Sequence, residues 1–157
     1  MANETKFVYG TLKEITSSAN GPAVTTMQLS SALTNLYSQT DTLDYPDAVF
    51  TLTLASSSAF SATYTAGSTL DLYVVPQDVD GSTGDQVDPL TGASTNAYRG
   101  RYLCSFVCDG TTTASLKYTA DAFGIPRAGK LFLFNGTSAN LGANWKLQMT
   151  PRTLGPV

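Results

Sequence analysis

The densest group of side chains able to do chemistry is Asp78-Val-Asp80-Gly-Ser-Thr-Gly-Asp85-Gln-Val-Asp88. Alternating carboxylates beside a glycine turn are how a calcium loop gathers six to eight hard oxygen donors. The match stops after four residues. Position 5 of a twelve-residue loop would be Ser82, position 6 Thr83 where glycine is needed, and position 12 Pro89 where glutamate is needed. No flanking helices are expected either. A solvated loop whose aspartates accept their own backbone N–H groups accounts for the same residues, and that is the preferred reading. Asp78, Asp80, Asp85 and Asp88 are the calcium candidates, and no cofactor is expected.

Other chemistry is limited by what the chain lacks. It has no histidine, which removes Ser-His-Asp triads, Cys-His pairs and imidazole metal sites. The only glutamates, Glu4 and Glu14, lie near the start, so acid–base work would fall to aspartates. A glycosidase needs two carboxyls about 5–9.5 Å apart. Asp41, Asp44, Asp78, Asp80, Asp85, Asp88, Asp109 and Asp121 fall in turns, where their help to the backbone explains them. There is no Gly-x-Ser-x-Gly, no phosphate-binding glycine loop and no dinucleotide fingerprint. Ser115-Leu-Lys117 lacks the spacing of a serine–lysine dyad. The expectation is a protein that is not an enzyme, with no catalytic residues.

Cys104 and Cys108 lie in Arg101-Tyr-Leu-Cys-Ser-Phe-Val-Cys108, which reads as a strand. Four residues along a strand span about 13 Å, whereas a disulfide needs Cα atoms within roughly 7 Å. Both are expected reduced, on one apolar face with Phe106. A two-cysteine metal site would need partners the chain hardly has. Asn135-Gly-Thr137 fits a glycosylation sequon but reads more simply as a hairpin turn. Tyr37, Tyr45, Tyr98 and Trp145 could stack on sugars, although aromatics in a β-protein more often serve the core or an interface.

Nine basic residues are scattered through the chain, with no cluster suited to phosphates, so no nucleic-acid partner is expected. No apolar run approaches the ~18–20 residues of a membrane span. The first residues lack the basic and apolar regions of a signal peptide, so synthesis and retention in a cytoplasm are expected. Charged residues make up 13% of the chain and hydrophobic ones 42%. Serine and threonine fill the gap at roughly a quarter, a composition suited to short strands and polar turns. For 16.6 kDa, area scaling gives roughly 24,000 Å² unfolded and about 7,600 Å² folded. That is enough burial for a core without staples.

The elements that would position these residues alternate with period two. Lys6 to Ile15 alternates weakly around Phe7, Tyr9 and Leu12, as an arm or an edge strand. A strand is predicted over Ala23 to Leu29, and Ser31 to Tyr37 could form a turn of helix. Asp47 to Ala55 is the clearest strand, with Val49 and Thr51 on one face and Phe50, Leu52 and Leu54 on the other. Ala59 to Thr65 follows. Thr69 to Val75 reads as a central strand that turns Asp71 outward, to solvent or a neighbouring subunit. After a long polar segment from Pro76 to about Tyr98, strands are predicted at Arg99 to Val107, Thr113 to Tyr118, Lys130 to Phe134 and Asn144 to Met149. Eight or nine short strands without helical spacers predict a single-domain, all-β antiparallel sandwich of jelly-roll type (residues 17–157), preceded by an N-terminal arm or edge strand (residues 1–16).

Three stretches carry a resemblance: Leu70-Asp-Leu-Tyr-Val-Val75 with the acidic loop to Asp85, the returning strand Arg101-Tyr-Leu-Cys-Ser-Phe106, and Ile125-Pro-Arg-Ala-Gly-Lys-Leu-Phe-Leu-Phe-Asn-Gly-Thr-Ser-Ala-Asn-Leu141. Together they span roughly the C-terminal half to two-thirds of the chain. In their order the chain resembles the head decoration, or cement, proteins and related virion proteins of tailed phages, with a lectin-like jelly roll. The low charge and the two cysteines depart from that pattern without contradicting it. The resemblance implies a non-enzymatic virion protein on the capsid surface, made in the bacterial cytoplasm. It would bind the major capsid protein and itself, as a homo-oligomer with a trimer favoured, with no membrane partner.

A surface low in charge and rich in threonine suits such a role, because it desolvates at little cost. Phe7, Tyr9, Leu12 and Ile15 are the expected interaction residues, on a strand that adds to a neighbour's sheet. The competing readings are a carbohydrate-binding module or fibre-associated lectin on the same fold, and a tail or adaptor subunit.

Overall fold

From Asp47 to Leu54 every second residue is apolar, and burial follows the same period: Ala48, Phe50, Leu52 and Leu54 are fully enclosed while the residues between them are half-exposed. A strand with one face on a core has this signature. In the computed structural model, which describes residues 5–15, 26–33, 45–54, 60–76, 92–93, 100–110, 116–126, 129–142 and 145–156, it is one of ten strands. These are β1 (Thr5–Tyr9), β2 (Lys13–Glu14), β3 (Thr26–Leu33), β4 (Asp47–Leu54), β5 (Thr69–Pro76), β6 (Gly92–Ala93), β7 (Arg101–Val107), β8 (Leu116–Ala122), β9 (Gly129–Asn135) and β10 (Lys146–Pro156).

Leaving aside the two-residue β2 and β6, eight strands pair from the outside inward. β1 pairs with β10, β3 with β9, β4 with β8, and β5 with β7, all antiparallel. This is the pairing of one long hairpin. Two further antiparallel ladders, β10 to β4 and β9 to β5, fold that hairpin on itself. The result is two five-stranded sheets, one ordered β1-β10-β4-β8 with β2 also on β10, the other β6-β3-β9-β5-β7. That connectivity is the jelly roll, so the chain is an all-β sandwich.

The facing sides interlock in one core. Phe50, Leu52, Leu54, Leu147 and Met149 meet Leu70, Leu72, Val74, Leu131, Leu133 and Phe106, with Trp145 among them. The accessible surface is 8035 Å², close to the expected value, and about two-thirds of the unfolded chain's area is buried. Cys104, Phe106 and Cys108 are all buried on the inner face of β7 and its extension, and both thiols are free. β5 lies between β9 and β7, the central place its apolar alternation predicted. Asp71 points away from the core and accepts a hydrogen bond from the Ser105 hydroxyl across the β5–β7 ladder, at 2.5 Å.

Several elements differ from the sequence reading. Ser31 to Leu33 belong to β3 and continue its ladder with β9 after an irregularity between Leu29 and Ser31, so no helical turn starts there; residues 34–37 lie outside the described ones. Of the strand predicted over Ala59 to Thr65, the described residues 60–65 do not form a regular strand, and Ala59 lies outside the described ones. Only Phe60 forms a bridge, to Leu141, and Phe60 and Tyr64 anchor the segment by packing their rings 4.2 Å apart.

Asn135-Gly-Thr137 is not a hairpin, because β9 and β10 lie in different sheets and the segment crosses between them. Its polarity serves that crossing. The buried Asn135 carboxamide donates to the Ala139 carbonyl at 2.8 Å and accepts from both the Thr137 amide and hydroxyl. The sequon asparagine therefore holds a loop inside the protein and offers no free nitrogen to a glycan.

Replacing Phe50 by alanine is expected to lower unfolding free energy by about 3–5 kcal/mol, the cost of a large core cavity. Its outward neighbour Thr51→Ala is expected to change it by about 0.5 kcal/mol or less. Chemical denaturation of the two variants against the parent measures the contrast.

Candidate functional site

β1 and β2 form one interrupted strand along β10. The register runs from Tyr9 opposite Arg152 to Glu14 opposite Gln148, so it slips by one residue between them. Gly10 donates its amide to Pro151 O at 2.8 Å, and Ile15 donates to Leu147 O at 2.7 Å. Pro151 can sit inside this central strand because the donor it lacks falls where the first strand bulges away. Gly10 is also pressed against Tyr45: an added Cβ would lie 3.0 Å from the ring.

Alternation then decides which side chains leave the sheet. Along β10, Leu147, Met149 and Pro151 point inward, while Gln148, Thr150 and Arg152 point outward. Phe7 lies opposite Leu154, and Tyr9 opposite Arg152, on the same outer face. Phe7, Tyr9 and Leu154 are 50%, 57% and 62% exposed, as is Phe123 just past β8 at 65%.

At the centre of this face Arg152 is only 7% exposed. Its guanidinium carbon lies 4.7 Å from the Phe7 ring centre and 5.6 Å from that of Phe123. One nitrogen meets the Asp121 carboxylate at 2.9 Å, while Nε is buried without a partner. A cation held between two ring faces gains electrostatic attraction from both, and the carboxylate fixes its orientation. The rest of the sheet's outer face carries half-exposed or exposed threonines 51, 53, 119 and 150 together with Asp47, Val49, Lys117 and Gln148, with Lys146 paired to Glu14 at one side.

Phe7, Tyr9 and Leu12 are thus exposed, Leu12 within the bulge at 53%. Ile15 is not part of this surface. It is 1% exposed and belongs to the core, because the register slip turns it inward. Phe123, Arg152 and Leu154 were missed from sequence. Ending the last strand at Met149 hid the alternation that continues past Pro151, and following the period to Arg152 and Leu154 would have found two of them.

Asp78, Asp80, Asp85 and Asp88 lie outside the described residues, as do Tyr37 and Tyr98. Tyr45 and Trp145, the other two sugar-stacking candidates, are 4% and 1% exposed. They are core residues and cannot stack on a ligand. Among the described residues, no group of three or more histidine, cysteine, aspartate or glutamate side chains is placed to hold a metal ion.

A second polar group lies at the β7–β8 side. Tyr118 donates to Asp109 at 3.2 Å, and its hydroxyl is 3.4 Å from that of Tyr64. Burial raises the pKa of both phenols. It also pushes Cys108 up to about 11 and Cys104 up to about 12. A thiol so far from ionising is a poor nucleophile and a poor metal ligand, so this cluster stabilises the fold and offers no reactive group.

Three outcomes follow from these environments. The folded pKa of each thiol lies above the unfolded value of about 8.5. Their contribution to stability is therefore complete below that pH and is lost as pH climbs through about 11 and about 12. Thiol labelling at pH 8 is expected to proceed only in denaturant, and the melting temperature is expected to fall steeply above pH 9. Asp121→Ala, which strands a nearly buried guanidinium beside a half-exposed partner position, is expected to cost about 1–2 kcal/mol, between the values for solvated and buried pairs.

Comparison with protein-family models, with curated proteins and with solved structures gives no match for this chain.

Proposed function

We propose that this chain is a non-enzymatic structural protein of a tailed-phage virion, a capsid decoration protein that docks on the major capsid protein and stabilises the head. The observation that carries the reading is the aromatic face at Phe7, Tyr9, Phe123 and Leu154 around Arg152. Exposed apolar patches of this kind mark contact surfaces. Aromatic and arginine side chains dominate contact energies when water is excluded from them. Arg152 is already held by two rings and a carboxylate, so little side-chain entropy remains to be lost on docking.

Three further features support the reading. The jelly roll is an architecture that capsid proteins use. The outer face beside the patch is rich in threonine, and among its charged side chains Arg152 is already paired with Asp121 and Lys146 with Glu14, which lowers the cost of covering them. A lattice presents many copies of its partner, so modest single contacts suffice. Fold alone would not select this function over others; the patch adds a surface on which the reading can be tested.

Deleting residues 2–16 would also remove Ile15 from the core, so point variants test docking more cleanly. Phe7→Ser and Phe123→Ser are expected to reduce co-sedimentation with undecorated capsids at least tenfold, with near-parental melting temperatures. Thr51→Ser, on the same sheet face away from the patch, is expected to bind as the parent does. Undiminished binding by both patch variants would remove this face from the mechanism.

A further inference from the structure

We propose that two copies of this chain pair through the free edge of β1, antiparallel about a two-fold axis at Phe7. The pairing stands without the capsid reading. Only its use, to merge two aromatic faces into one docking surface, rests on that reading.

The ladder with β10 defines which backbone groups of β1 are spoken for. In an antiparallel pair the amide and carbonyl of one residue point the same way, and direction alternates along the strand. Gly10 donates to Pro151 of β10, so Val8 and Lys6 also face β10. Thr5, Phe7 and Tyr9 turn their amides and carbonyls the other way, beyond the edge of the sheet. All three residues are exposed, and among the described residues no strand pairs with that edge. At the far side of the same sheet β8 runs beside β7, leaving β1 as the open end.

The three outward-facing residues form a self-complementary set. With the axis on Phe7, Phe7 faces Phe7 of the second copy as a hydrogen-bonded pair, and Thr5 faces Tyr9 at both ends. Six backbone hydrogen bonds result. Lys6 then lies opposite Val8 of the second copy, so like charges do not meet. An edge lysine also discourages pairing with unrelated strands. The side chains of Phe7 and Tyr9 from both copies emerge on one face, continuous with both Leu154 residues. Two five-residue strands bury less than the ~1,200 Å² of a stable interface, so the dimer in solution is weak, with a dissociation constant on the order of 10–100 µM. A two-fold pair also differs from the trimer expected by resemblance, because antiparallel pairing of one edge with its own copy closes at two chains.

Cysteine and proline variants of the purified chain, with no capsid present, test this. The axis brings Phe7 Cα to about 5.5 Å from its counterpart, within disulfide range, while Thr5 lies about 13 Å from its own counterpart. Under mild oxidation with oxidised glutathione, Phe7→Cys is expected to form a covalent dimer and Thr5→Cys to remain monomeric, the native thiols being buried. Tyr9→Pro removes an outward amide without touching the β10 ladder, and is expected to abolish the concentration-dependent dimer seen by sedimentation equilibrium; Tyr9→Ala is expected to retain it. No cross-linking of Phe7→Cys, equal cross-linking of Thr5→Cys, or a parent chain monomeric up to about 500 µM would overturn the proposal. Capsid binding by a chain that fails these tests would leave the docking face standing and remove only the dimer.

Discussion

Everything in this molecule depends on β10 keeping one pleat over eleven residues while serving three neighbours. It pairs with β1, β2 and β4, so a single residue's slip along it would turn the core side of the whole sheet outward. Leu147 and Met149 are fully buried, which makes such a slip costly. Pro151 does not interrupt the strand, since the hydrogen bond it cannot donate falls at the bulge after Gly10. The pleat therefore carries through to Arg152 and Leu154, and the outer face exists because of it. Arg152 is the one outward residue of β10 that burial encloses, and it is enclosed by rings from the first strand and from the end of β8.

Stability and surface are thus linked through one strand. The inner half of each alternation builds a core of large side chains with the two thiols well below ionisation at neutral pH. The outer half of the β1-β10-β4-β8 sheet mixes threonines and aromatic groups with charged side chains, of which Arg152 pairs with Asp121 and Lys146 with Glu14. Hydroxyls and methyl groups cost little to bring out of water compared with carboxylates or ammonium groups. A sandwich made this way has a close-packed interior of large side chains. The polar group inside, Asn135 with Thr137, is fully hydrogen-bonded where the chain crosses from one sheet to the other, so the crossing does not weaken the core.

The fold was legible in the sequence wherever one face of a strand is buried. Phe50, Leu52 and Leu54 announced β4, and Leu70, Leu72 and Val74 announced β5, because burial on one side imposes period two. Legibility failed where tertiary context decides. Phe60 and Tyr64 mimic a strand's alternation but pack against each other across an irregular turn. The Asn-Gly-Thr turn signal could not tell a hairpin from a crossing between sheets, since both need the same local geometry. The last strand was read as ending at Met149, which concealed Arg152 and Leu154. Three of the expected interaction residues lie on the surface, and Ile15 went to the core through a register slip that no single strand's pattern contains.

A cryo-EM reconstruction of the source particle tests the central claim most directly. The account predicts density for this chain on the head, with the β1-β10-β4-β8 sheet turned toward the shell and the rings of Phe7 and Phe123 buried against the capsid protein. A head map without this chain, or one in which that sheet faces solvent with both rings uncovered, would contradict it.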